Sequence, residues 1–165
     1  LTLPALATPD KFVKDHSRYC VPSGSGWMVQ GYAPLVDTRK GTVVVQAIYS
    51  GSVLTHVLVK NYNERYELMY DYRVGEDGRL VALRGYLERW GQWLAEADLY
   101  PDADGLVPRP DVNYRQRSGG SVIVEPDDGP NYVGVFQSVP VYRTAAEMPC
   151  AVLFQEAEKM NATQK

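Results

Sequence analysis

With 165 residues, 45% of them hydrophobic, the chain is long enough for one domain with a proper core and short for two. A net charge of −3 and a pI near 5.4 leave no basic surplus, which argues against a protein that tracks nucleic-acid phosphates. No uninterrupted apolar run approaches the roughly 18 to 20 residues a membrane helix needs, since even Val43 to Val59 is broken by Gln46, Ser50, Gly51, Ser52, Thr55 and His56.

Residues 1–7 read as a leader or a signal-peptide remnant, because Ala5-Leu6-Ala7 has the small-x-small pattern of a cleavage site. Thr8-Pro9-Asp10 then has the form of a helix start, and Phe12, His16 and Tyr19 share one face at helical spacing. His16 is therefore expected in a packing stripe rather than as a ligand. Cys20 and Cys150 are the only cysteines, and an even count in an exported chain allows a disulfide closing most of the domain. Val21 to Gly26 reads as a flexible link. It lacks the lysine and the following helix that would make Gly-Ser-Gly a phosphate cradle.

Trp27 to Val36, Thr42 to Tyr49 and Ser52 to Lys60 are expected strands, the last two joined by a tight turn at Ser50-Gly51. A two-residue loop there sets Val45 against His56 and Ile48 against Val53. Both faces of that pair are apolar, so it is expected to be covered on both sides, with His56 enclosed among valines and leucines or lining a cavity.

The strongest pattern is the hairpin from Tyr66 to Leu87. Tyr66, Leu68, Tyr70, Tyr72 and Val74 alternate with Glu67, Asp71 and Arg73, and Gly75-Glu76-Asp77-Gly78 supplies the turn. A four-residue loop pairs Tyr72 with Val81, Tyr70 with Leu83, Leu68 with Gly85 and Tyr66 with Leu87. Residues 85–98 are ambiguous. Leu83, Leu87, Trp90 and Leu94 recur at helical spacing, but Gly85 and Gly91 and the alternation Trp93, Ala95, Ala97, Leu99 favour one long strand bent at the glycines. Asp102-Ala103-Asp104-Gly105 repeats the plan of the first turn. It resembles only a fragment of a calcium loop, so no metal or other cofactor is expected.

Residues 108–120, with Arg109, Arg115 and Arg117, form the expected long loop. Ser121 to Glu125 and Tyr132 to Val141 read as a final strand pair. From Pro149 the spacing of Cys150, Leu153, Phe154, Ala157 and Met160 predicts a helix, with Thr144 and Glu147 as a capping box upstream and residues 161–165 frayed.

The expected fold is thus one mainly β domain over 1–165, α+β at the margin, a curved antiparallel meander or partly closed barrel with one helix near each terminus. No nucleophile elbow, His-x-x-x-His or Cys-x-x-Cys pattern names a reaction. Tyrosine and tryptophan, 12 and 3 against 3 phenylalanines, suit partly wet binding surfaces. The candidate binding cluster is Asp71, Arg84, Tyr86, Glu88 and Trp90 on the polar side of the central hairpin, with Tyr100 on the same side and His56 nearby. The expected function is non-catalytic binding of a sugar, peptide or envelope partner by an exported protein. The alternatives are a carboxylate hydrolase using Asp71, Glu67 and Glu88 in a concave sheet, and a structural subunit of an envelope assembly, which predicts an exposed apolar edge.

Overall fold

The computed structural model describes residues 15–37, 41–89, 92–116, 121–122 and 131–163. Among the described residues, nine antiparallel strands form one open sheet in the order β2-β1-β3-β4-β5-β6-β7-β8-β9. They are β1 (Asp15–Ser23), β2 (Gly26–Gln30), β3 (Thr42–Ser50), β4 (Val53–Tyr62), β5 (Tyr66–Val74), β6 (Leu80–Arg89), β7 (Trp93–Leu99), β8 (Asn113–Gln116) and β9 (Ser121–Val122). From β3 onward each strand pairs with its successor in the chain, so the expected antiparallel meander is present. The sheet does not close into a barrel. The two α-helices among the described residues lie toward the C-terminus: α1 (Tyr132–Gln137) and α2 (Ala151–Thr163), with a 3₁₀ turn at Ala145–Glu147 between them.

One sheet face is the core. Its central row runs Cys20, Val45, Val59, Tyr70, Gly85, Ala97 across β1, β3, β4, β5, β6 and β7. The C-terminal segment returns over this face. Phe136 of α1 lies on Gly85, where a Cβ would sit 2.7 Å from the phenyl Cδ1, so the strand glycine is a socket for the ring. Tyr132 meets Tyr114 edge-on at 5.4 Å. The Tyr70 hydroxyl donates to Val135 O at 2.9 Å and that of Tyr72 to Pro140 O at 2.6 Å. Helix α2 is tied to β1 by the Cys20–Cys150 disulfide, which spans 130 residues, a closure worth about 4 to 5 kcal/mol in the chain-entropy model. Cys150, at φ +66°, is the one non-glycine with positive φ among the described residues. Glu158 of α2 accepts from Arg18 Nε at 2.6 Å and pairs with His16 Nε2 at 2.9 Å. Burial alone would raise the Glu158 pKa, but the hydrogen bonds from Arg18 and His16 hold it below the ordinary carboxylate value.

Several expectations are corrected. His16 and Tyr19 belong to strand β1, not to a helix, and residues 8–14 lie outside the described residues. Helical spacing misled because β1 carries His16 and Arg18 on its core face, and their partner Glu158 is remote in sequence. The link at Val21 to Gly26 is a hairpin turn in which Ser23 pairs with Gly26 and Gly24 takes φ +59°. Of the expected strand 27–36 only residues 27–30 are strand, within β2 (Gly26–Gln30). Residues 85–89 and 93–98 are strand, as favoured, but they belong to two paired strands, with Leu87 opposite Ala95 and Arg89 opposite Trp93. The loop at 108–120 contains β8, and Tyr132–Gln137 is a helix rather than a strand, capped by Asn131, whose Oδ1 accepts from Gly134 N at 3.0 Å. Thr144 makes no side-chain cap. Glu147 Oε2 accepts from Arg143 N instead, and α2 continues to Thr163 rather than fraying at 161.

Both hairpin registers are changed by bulges. In β5–β6 the pairs are Tyr72–Leu83, Tyr70–Gly85 and Leu68–Leu87, with Val81 the extra residue between Arg73–Ala82 and Val74–Leu80. Val81 is consequently 62% exposed instead of facing Tyr72. In β3–β4, Thr55 is the extra residue between Ile48–His56 and Tyr49–Leu54, and its hydroxyl donates to Ile48 O at 3.1 Å. That odd shift moves His56 off the core face.

Two outcomes follow from the packing. Gly85→Ala should destabilise the protein by about 1 to 3 kcal/mol through overpacking against Phe136, and Phe136→Leu in the same chain should recover part of that loss, measured by urea unfolding; additive losses would show that ring and glycine are not in contact. Burial pushes the Tyr49 and Tyr70 hydroxyls from 10.0 up to about 12, Tyr49 being raised further by Glu158 against the opposing pull of Arg18, and burial pushes Tyr72 higher still. Between pH 10 and 12 the unfolded chain loses these protons while the native chain keeps them, so their contribution is intact below pH 10 and disappears as pH rises through about 12. A near-ultraviolet tyrosine titration should therefore show a set of tyrosines that ionises only together with alkaline unfolding.

Candidate interaction surface

The face opposite the core carries no helix among the described residues. It exists because residues between the core positions of β3 to β8 project there in register. One row runs Gln46, Leu58, Asp71, Arg84, Asp98; the next runs Val44, Lys60, Met69, Tyr86, Glu96, Asn113. Opposite charges face one another in the first row and long side chains lie over apolar ones in the second. Val44 on this face is 2% exposed, and among the described residues no helix or second sheet lies above it.

Five of the six candidate residues, His56, Asp71, Arg84, Tyr86 and Glu88, occupy this face, and Trp90 lies outside the described residues. His56 Nδ1 is 2.8 Å from Asp71 Oδ1, and its side chain is about a third exposed, so it is not the enclosed histidine the apolar context predicts. Arg84 contacts Glu96 Oε2 at 3.2 Å and Asp98 Oδ1 at 3.4 Å, and its guanidinium carbon sits 5.4 Å from the Tyr86 ring centroid. Arg115 Nη2 is 2.7 Å from Glu96 Oε1 but outside hydrogen-bonding angles, so this contact is an ion pair. Glu96 is 6% exposed, the one buried charged residue described, clamped between two arginines from neighbouring strands. Tyr100 lies just past β7. It lines a cleft of about 660 Å³ with Tyr72, Leu83 and Tyr142.

At the other end of the face, Lys60 Nζ donates to Gln46 Oε1 at 2.8 Å, and Gln46 Nε2 donates to Ser17 Oγ at 3.0 Å. Burial lowers the Lys60 pKa, partly offset by Glu67. Glu67 stands directly opposite Glu88. Burial raises its pKa; Lys60 and a hydrogen bond with Tyr62 act the other way, while Glu88 adds to the rise. Tyr62 in turn is pushed up to about 12 by burial and by Glu67. Asp71 does not meet Glu88. It faces Arg84, four residues before Glu88 on the same strand, roughly 13 Å away along the strand.

The Asp102 carboxylate is consumed by its turn, accepting from Asp104 N and Leu106 N at 2.9 Å each. A further groove of about 860 Å³ lies between the core face and α1, lined by Tyr62, Tyr66, Asn61 and Ser138. Reasoning from sequence passed over Glu96, whose partners Arg84 and Arg115 sit on two different strands. It also passed over β2, where the signal was the absence of any Asp, Glu, Lys or Arg from Val21 to Val36. Comparison with protein-family models, curated proteins and solved structures finds no match to this chain.

Removing Glu96 leaves two guanidinium groups without their shared counter-charge, so Glu96→Ala should cost about 2 kcal/mol. Adding Arg84→Met should recover part of that cost in a urea-unfolding double-mutant cycle, whereas strictly additive losses would mean the clamp contributes nothing as a unit.

Proposed function

We propose that the chain is an exported, non-catalytic interaction domain that meets a protein or peptide partner through the open sheet face around Tyr86. The carrying observation is the composition of the centre of that face: Met69 and Tyr86 side by side, with Arg84 against the Tyr86 ring. Tyrosine, methionine and arginine are the residue types enriched where protein interfaces form. Of the surrounding carboxylates, Glu96 has Arg84 and Arg115 as cationic neighbours, Asp98 has Arg84, and Asp71 stands opposite Arg84 in register, 2.8 Å from His56. Export is supported by the Cys20–Cys150 disulfide, a bond that persists in oxidising compartments, and no described helix is long and apolar enough to cross a membrane.

The test is a screen of the oxidised chain against peptide and glycan arrays, with hits repeated on Tyr86→Ala. Peptide binding weakened about tenfold or more, with an unchanged unfolding midpoint, is the expected result. Glycan-only binding, or peptide binding indifferent to the substitution, overturns it. Turnover of any ligand that disappears in Glu67→Gln would put the carboxylate hydrolase in its place.

A further inference from the structure

Strand β2 ends the sheet, and its far side has no partner strand among the described residues. Natural edges are normally blunted by lysine, inward charge, proline or a bulge. This one has none of them: Gly26–Gln30 contains no proline, pairs with β1 in unbroken register, and lies within the charge-free stretch Val21 to Val36, in a chain with 22% charged residues. It is also open, with Trp27 41% and Met28 47% exposed, and the segment that follows exposes Tyr32 at 70% and Leu35 at 104%. The strand is held firmly from behind, since Val29 pairs with Cys20, whose disulfide carries α2.

We propose that β2 is a self-pairing edge: two copies of the chain join antiparallel along Gly26–Gln30 about a two-fold axis at Met28, making one continuous sheet. A strand edge is completed by another extended strand, because the unpaired backbone donors and acceptors recur at the strand spacing. An uncharged strand meets its own copy with no like charges opposed, and centring the axis on the middle residue pairs the whole strand. Head-to-tail growth is disfavoured, because the opposite end of the sheet is β9, Ser121–Val122, next to β8 with its exposed Arg115. A two-fold contact closes where a head-to-tail contact would continue into filaments. Trp27 and Val29 lie on the α2 side, opposite Pro22 and Cys20, and Met28 lies on the other side opposite Val21. The two-fold therefore sets Trp27 beside Val29 of the partner subunit and Met28 against Met28 of the partner subunit. This pairing is independent of what the open face around Tyr86 binds.

Sedimentation of the full oxidised chain from micromolar upward should show a species of twice the 18.5 kDa chain mass. Met28→Lys, at an exposed position, should weaken it by at least about tenfold by opposing like charges at the axis, with an unchanged circular dichroism spectrum. Should that variant fail to fold, cysteine pairing gives a second reading. Met28→Cys should cross-link to its own copy under mild oxidation, whereas Gln30→Cys should not, because two such residues stand four positions apart across the pair, roughly 13 Å. A monomer throughout the range, a dimer indifferent to Met28→Lys, a ladder of growing oligomers, or cross-linking through position 30 in preference to 28 would each overturn the proposal.

Discussion

The return of residues 131–163 across one face of the sheet is the constraint on which the structure depends. A lone open sheet has no second layer to bury its apolar side, and here one continuous segment supplies it at three points. Phe136 enters the space left by Gly85, the Tyr70 and Tyr72 hydroxyls satisfy Val135 O and Pro140 O, and the Cys20–Cys150 bond fixes α2 above β1. The tyrosines are well suited to this contact because each ring fills the interface while its hydroxyl donates to a carbonyl of the returning segment, Val135 O in α1 and Pro140 O just beyond it. The same segment also adds a backbone connection at the hairpin end, where Leu80 N donates to Arg143 O at 3.1 Å and Ala145 N to Gly78 O at 2.9 Å. Sheet and strap are thereby fastened at both ends of the strap.

Covering one face leaves the other to solve its own desolvation problem. The outer face does so by alternating charge sign along a row and laying long side chains over short ones. Arg84 between Asp71 and Asp98 in register, and over Glu96 on the diagonal, is the centre of that arrangement. Exposed ion pairs of this type contribute little stability each. Their effect is on register, because a slip by one residue would bring Asp71 and Arg84 out of opposition and turn the apolar set outward.

Much of the fold was legible because local chemistry agreed with the final topology. The turns at Gly75 to Gly78 and Asp102 to Gly105 were visible as echoes of one another, and in the structure they are: Gly78 and Gly105 take φ +82° and +79°, and Gly75 N and Asp102 N each donate to the carbonyl four residues on. What was illegible turned on single extra residues. In β5–β6 a turn one residue longer than expected and the bulge at Val81 shift the register twice, and two slips restore the faces, so Tyr70, Tyr72, Leu83 and Leu87 stayed on the core side. In β3–β4 the net shift is odd, and His56 moved from the core to a pairing with Asp71. Helix α1 was hidden because Tyr132, Val133 and Val135 are good strand formers, and only the socket at Gly85 makes a helix the better fit for Phe136. The outer-face cluster was readable by parity alone, whereas the Glu96 clamp needed β8, whose four residues lay inside an apparent loop.

The two ends of the sheet then differ in a way that bears on what the molecule does. At the β8 end, charge is exposed and the last strand is two residues long, both devices that discourage edge-to-edge contact. At the β2 end such protection is missing, yet Trp27 and Met28 are placed where solvent reaches them. Around Arg84 the open face sets opposite charges against one another, whereas β2 carries no charge at all, and protecting it would take one lysine. Leaving that edge neutral and apolar, directly over the disulfide that holds the domain together, makes contact with another strand the physically consistent reading of this end of the fold.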